Sequence, residues 1–184
     1  MSILTLINPA TAEGKAKTLL AAVQKAMGAT PNIFTAFANA PAALEGYLNL
    51  NGALSNGVLN AQLREKLALV TAGTNGCDYC ASAHTFLGEQ AGIEQNELVL
   101  NLSGVSTDTK TQNALTFARL LIQKRGHVSK QDIQAVRSAG FSDEEIVEIL
   151  AHVALNTFTN YFNAAFDIDI DFPEVNTDKA LRAA

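Results

Sequence analysis

Residues 63–84 read LREKLALVTAGTNGCDYCASAH. The part over 63–72 carries apolar side chains at three- and four-residue spacing, the period of an amphipathic helix. Asn75-Gly76 is a helix-breaking pair, so Cys77 falls at or just inside the amino terminus of a second helix, read over 77–91. Cys80 follows one turn later and His84 another, which sets all three on one helical face at i, i+3 and i+7. A thioredoxin carries the same four-residue Cys motif at the end of a strand in an α/β fold. A helix in front of the pair points to a different, helical architecture.

The same period runs through nearly the whole chain, with few alternating Val/Ile/Thr runs, and the fold class it predicts is all-α. A first helix is expected near 10–27, closed by Gly28. Pro31 and Pro41 sit where a first helical turn tolerates a missing N–H, predicting short helices near 31–38 and 41–50. The turn-rich NGALSNG at 51–57 predicts a loop. Further helices are read near 60–73, 94–103 and 109–125.

Ser129 with Asp132 and Ser142 with Glu145 have the spacing of helix starts, flanked by the apolar pairs Val128/Ile133 and Phe141/Ile146. The last long helix is read over 143–165. DIDIDFP at 167–173 alternates over too short a span for a strand, so 167–184 is expected as an extended tail laid over the body or a neighbouring subunit. AGIEQNELVLNL (91–102) aligns without gaps to AGFSDEEIVEIL (139–150), a weak repeat of helix, Ala-Gly turn and helix. Only the first copy carries the cysteines.

One domain over 1–184 is expected, since a chain of this length buries enough surface to fold without staples. A net charge of −5, with no basic spot denser than Lys124-Arg125, argues against nucleic acid as a partner. The first residues, Met1 to Glu13, lack the basic and apolar regions of a signal peptide, and no run of about 18 apolar residues occurs. No membrane partner and a cytoplasmic location are therefore expected. In that reducing compartment a chain with only 2 cysteines uses them for catalysis or metal binding before it uses them as a staple.

Zinc would need four ligands, and beyond Cys77, Cys80 and His84 only Glu65 offers itself, whereas structural zinc sites favour more sulfur and imidazole. Redox use fits the spacing better. A thiolate is the nucleophile, its pKa falls beside a helix amino terminus or an imidazolium, and the second thiol of a C-x-x-C can resolve a sulfenic acid before over-oxidation. Helix-terminus electrostatics alone favour Cys77 as the more acidic thiol. Adjacency to a base favours Cys80, which lies four residues before His84.

Glu65 lies twelve residues before Cys77, and the C-x-x-C, His84, Gly88 and Gly92 follow. This pattern resembles the alkylhydroperoxidase D-like branch of the carboxymuconolactone decarboxylase superfamily. Pro31-Asn32-Ile33-Phe34 and Pro41-Ala42-Ala43-Leu44 upstream, with Asn160-Tyr161-Phe162-Asn163 and Asp171-Phe172-Pro173 downstream, are similar to its peroxidase-related members. The resemblance implies an all-helical thiol peroxidase that assembles as a homotrimer or homohexamer and needs no cofactor or metal. It implies that Cys80 attacks a hydroperoxide, Cys77 resolves it, and Glu65 and His84 relay the proton. It further implies that an external dithiol, a lipoyl or thioredoxin-like protein, restores the thiols. The best-known members place a histidine between the cysteines, where this chain has Tyr79, whose phenol exchanges protons poorly near neutrality.

Two other uses of the same residues stay open: a thiol-disulfide relay or sensor with little peroxide turnover, and a lyase or decarboxylase of the same superfamily, which would not need the cysteine pair. His152, Asn156, Asn160 and Asn163 fall on one face of the last helix. That polar stripe is expected to make hydrogen bonds at a subunit interface, with lining of a pocket as the alternative. His127, after Gly126, is read as a cap of helix-end carbonyls.

Overall fold

The computed structural model describes residues 2–179, which form nine helices and no strand. In chain order they are α1 (Gly14–Met27), α2 (Asn32–Phe37), α3 (Pro41–Ser55), α4 (Ala61–Asn75), α5 (Asp78–Gln90), α6 (Gln95–Leu102), α7 (Thr109–Gln123), α8 (Lys130–Ser138) and α9 (Asp143–Phe166). None of the described helices is long and apolar enough to cross a membrane.

Helix α4 is the axis of the molecule, packed by α5, α6, α7 and α9. Its residues from Leu67 to Gly73 are all buried, which an amphipathic surface helix would not allow. Leu69 and Ala72 join a core with Leu20, Phe37, Leu44 and Leu98, while Leu67 and Val70 join a second core with Leu115, Phe117, Val136 and Ile149. Gly73 has a packing reason. A Cβ built there would lie 1.9 Å from the Leu102 carbonyl oxygen, so the backbones of α4 and α6 approach as only glycine permits.

The helix starts follow local chemistry. Asn60 and Asp108 accept from the backbone N–H three residues on, and Ser129/Asp132 and Ser142/Glu145 both close as capping boxes. Gly76 ends α4 in the left-handed region at φ 68°. Pro41 opens α3 as expected, whereas Pro31 precedes the first turn of α2.

Two expectations fail. The first helix starts at Gly14, because Asn8 folds the preceding segment into a turn, its Oδ1 accepting from Ala10 N at 2.9 Å. The loop expected at 51–57 is helical as far as Ser55: α3 runs through Asn51-Gly52 and buries Leu54 as well as Leu44. Burial on the core outweighs about 1 kcal/mol of glycine's helix penalty, and the turn falls at Asn56-Gly57.

The internal repeat is longer than the aligned turn. Shifting α4 by 48 residues superimposes Ala61–Asn75 on Thr109–Gln123, and the capping Asn60 on Asp108. Gly92 and Gly140 both have positive φ, and Ile93 and Phe141 after them are both buried.

Beyond Asp167 the chain turns back across α5 and lies on the body. Asp171 Oδ1 accepts from the Tyr79 hydroxyl at 2.7 Å, Val175 N donates to Ser82 Oγ at 2.8 Å, and Thr177 N donates to Asp78 Oδ1 at 2.8 Å. The Phe172 ring packs edge-on against Tyr79. Residues 177–179 begin a helical turn, and the rest of the expected tail, 180–184, lies outside the described residues.

Candidate active site

The tight turn at Gly76 delivers Cys77 to the N-cap of α5, with its Sγ accepting from Cys80 N at 3.4 Å. Both cysteines are free thiols and buried, at 4% and 3% exposure. Burial in apolar surroundings pushes a thiol pKa up. Here the hydrogen bonds split the pair. A bond from Cys77 lowers the Cys80 thiol, and against the cost of burial Asn163, Asn160 and Thr159 lower it further. That shared bond, with burial, drives the Cys77 thiol far upward. Asn163 Nδ2 donates to Cys80 Sγ at 3.1 Å, and Thr159 Oγ1 lies 4.0 Å from it. Cys80, not the thiol at the helix terminus, is the more acidic of the two.

His84 and Glu65 meet across α5 and α4, Nδ1 to Oε2 at 2.8 Å, each about a fifth exposed. No hydrogen bond among the described residues joins His84 to Cys80. Both face a cavity of about 250 Å³ that Glu65 also lines. Ile33, Phe34, Leu87, Leu155 and Phe172 form its apolar wall. Among the described residues no three His, Cys, Asp or Glu side chains are arranged to hold a metal ion.

Tyr79, in the place of the relay histidine, is fixed. Its hydroxyl donates to Asp171 and accepts from Ile33 N at 3.2 Å, and burial followed by the Asp171 bond raises its pKa. It ties α5 to α2 and to the tail.

The stripe on α9 faces Cys80, where hydrogen bonds at a subunit interface were expected. His152, Asn156, Thr159 and Asn163 all line the cavity. His152 is 4% exposed and its Nε2 has no hydrogen-bond partner; burial, then the Arg64 cation, hold its pKa below the ordinary value. Sequence reasoning passed over Thr159, Arg64 and Tyr47. Thr159 lies three residues from Asn156 on the same face, a signal that was available. Arg64 and Tyr47 gave none, because only packing brings α3 and the start of α4 to this cavity.

Residues 41–123, from α3 through α7, match the carboxymuconolactone decarboxylase family. The matched span contains Glu65, Cys77, Cys80 and His84, while the α9 donors lie outside it.

The fold is similar to that of alkylhydroperoxidase D-like proteins. An uncharacterized peroxidase-related protein with an alkylhydroperoxidase AhpD core, from Ralstonia eutropha JMP134, superimposes with a TM-score of 0.81 at 22% identity, covering 98% of this chain and 94% of that one. A peroxidase-related protein from Silicibacter sp. TM1040 gives 0.79 at 22% identity, over 91% of each chain. A variant of the debrominase Bmp8, in complex with 2,3,4-tribromopyrrole, gives 0.75 at 19% identity, covering 100% and 99%. A search of curated proteins returns no significant match.

Proposed function

We propose that the protein is a thiol-dependent alkylhydroperoxidase that reduces hydroperoxides through a Cys80–Cys77 dithiol/disulfide cycle. The observation that carries this is the opposed tuning of the two thiols at the edge of a largely apolar cavity. A thiolate is stabilised where a small apolar substrate would enter, beside a carboxylate–imidazole pair able to take its proton.

In this reading the Cys80 proton passes to the His84–Glu65 pair, through a water across the gap between His84 and the sulfur. The Cys80 thiolate attacks the distal oxygen of ROOH, the O–O bond breaks, and RO⁻ takes the proton back to leave as alcohol. Asn163 Nδ2 and the unpartnered His152 Nε2 are the polar groups that orient the peroxide oxygens. Cys77 then condenses with the Cys80 sulfenic acid, releasing water and forming the disulfide. An external dithiol returns both thiols to the reduced state.

The experiment adds one equivalent of cumene hydroperoxide to fully reduced protein and counts peroxide lost and thiols remaining. Loss of two thiols per peroxide within seconds, abolished in Cys80→Ser, supports the cycle. Thiols persisting for hours would sink the peroxidase reading and leave the relay or sensor reading in its place.

The debrominase neighbour favours one second reading, since the Phe34, Tyr47, Tyr79 and Phe172 rings around the cavity suit an aromatic guest. Cys80 would take an electrophilic halogen in place of oxygen, a proton would replace it on the ring, and Cys77 would displace halide to give the same disulfide. Halide release from a brominated pyrrole, with no turnover of cumene hydroperoxide, would select this reading.

A further inference from the structure

The two thiols open onto different cavities. Cys80 lines the one shared with His84 and Glu65, whereas Cys77 lines a second recess of about 500 Å³, bounded by Gly76, Asp78 and the tail over 167–170. Tyr79 and Asn163 line both and form the wall between them. Asn163 is 4% exposed, its Nδ2 engaged by Cys80 Sγ and its Oδ1 without a hydrogen-bond partner. A buried acceptor left open in this wall calls for a donor that the protein does not supply. The chemistry proposed for the first cavity does not use the second.

We infer that the second recess is where the external reductant reaches the disulfide, and that it favours dithiols that carry no negative charge beyond the attacking thiolate. The inference rests on the Cys77–Cys80 disulfide of the cycle proposed above. A reductant thiolate in this recess meets Cys77 Sγ and forms a mixed disulfide with it. The Cys77–Cys80 bond breaks and its electron pair leaves on Cys80. The direction is favourable because the thiol with the lower pKa leaves faster, and Cys80 is the sulfur held by the α9 donors. The reductant's second thiol then attacks its own bonded sulfur, releasing Cys77, which takes a proton. Two electrons and one proton have passed from the singly ionised dithiol to the protein, which is left with a Cys77 thiol and a Cys80 thiolate, and the reductant departs as a disulfide. Oxidant and reductant therefore enter on separate sides of the pair, and product alcohol in the first cavity does not block re-reduction.

The charge preference follows from the lining. Asp78, Asp167, Asp169 and Glu174 border the recess, and among the described residues no Lys, Arg or His does. Asp78 is tied to Thr177 and Asn176, so its charge is fixed in place, and the repulsion rests on Asp78, Asp167 and Glu174. Asp167 and Glu174 are exposed at the border. Like charge at about 8 Å in water costs roughly 0.5 kcal/mol per pair, so several together slow an anionic reductant by about tenfold at low salt.

The test starts from protein oxidised with diamide, so that it does not depend on peroxide turnover. Re-reduction is followed with dihydrolipoamide and with dihydrolipoate, which differ by one carboxylate, in low and high salt, and the rates are corrected for thiolate content. The expected result is about tenfold slower reduction by dihydrolipoate at low salt, a gap that closes at high salt. Glu174→Lys should narrow it about threefold while leaving the rate of Cys80 alkylation by iodoacetamide unchanged.

Brief treatment of the oxidised protein with cysteamine, followed by mass spectrometric mapping, should place the mixed disulfide on Cys77. Equal rates for the two dithiols, a mixed disulfide on Cys80, or failure of diamide to form a Cys77–Cys80 disulfide would each overturn the inference. A protein inert to peroxide but showing the charge preference would retire the peroxidase reading and leave the reductant site standing.

Discussion

Cys80 is acidic because of what surrounds it, and each surrounding group can be removed. Asn163 donates from α9 to the Cys80 sulfur, a hydrogen bond to a charged group of the kind that contributes about 1.5–3 kcal/mol. Asn163→Ala should slow alkylation of Cys80 by iodoacetamide at pH 7 about tenfold, and move the midpoint of its pH–rate profile upward. In the native protein that midpoint should fall below the ordinary thiol range, since hydrogen bonds from Cys77, Asn163, Asn160 and Thr159 lower the Cys80 thiol. An unchanged profile in Asn163→Ala would show that the donor does not act on the thiolate. Glu65→Gln should leave this profile in place and slow peroxide reduction, because in the proposed cycle its partner His84 would take the proton without bonding the sulfur.

At the scale of elements, the meeting of α4 with α6 is the tightest joint near the site. Gly73→Ala would drive a methyl into the Leu102 carbonyl, and a loss of about 2–3 kcal/mol is expected by chemical denaturation. A stability within 0.5 kcal/mol of the native protein would mean that the two backbones separate freely. Much of this framework was legible in the sequence because it is written locally: Gly76 as a stop, Ser129 and Ser142 as starts, and Cys77 at the head of α5. Where burial competes with local preference, the local reading fails, as it does at Asn51-Gly52 in α3. The α9 stripe shows the other limit. Its spacing is visible, but its target is Cys80, 83 residues from Asn163, and no local pattern says which neighbour a helix face will meet. The charge split between the two thiols was hidden for the same reason, since it depends on donors brought from α9.

At the scale of the whole molecule, Glu97 is the one buried carboxylate among the described residues. Glu97 is 8% exposed. Burial opposes its charge, yet hydrogen bonds from Ser106, Thr107, Asn101 and Lys66 outweigh that and hold its pKa at about 2. A carboxylate depressed from 4.5 contributes stability that is fully present above the unfolded value and is lost as pH falls through that window towards 2. Glu97→Gln should remove on the order of 3 kcal/mol at neutral pH and flatten the acid limb of the stability curve between those values. A variant with the same acid limb as the native protein would refute the assignment.

Val147, Leu150, Phe158 and Tyr161 lie exposed along the face of α9 turned away from Cys80. This is the surface we propose for self-association, so Leu150→Glu should lower the molar mass measured by light scattering. A mass unaffected by that charge would place the interface elsewhere.

The measurement that tests the central claim most directly is the mapping of the first oxidised sulfur. Reduced Cys77→Ser protein, which cannot close the disulfide, is treated with one equivalent of cumene hydroperoxide in the presence of dimedone and examined by peptide mass spectrometry. The account predicts a dimedone adduct on Cys80, formed within seconds and suppressed in Cys77→Ser/Asn163→Ala. No adduct on Cys80, or an equally fast adduct on Cys77 in the complementary Cys80→Ser protein, would contradict it.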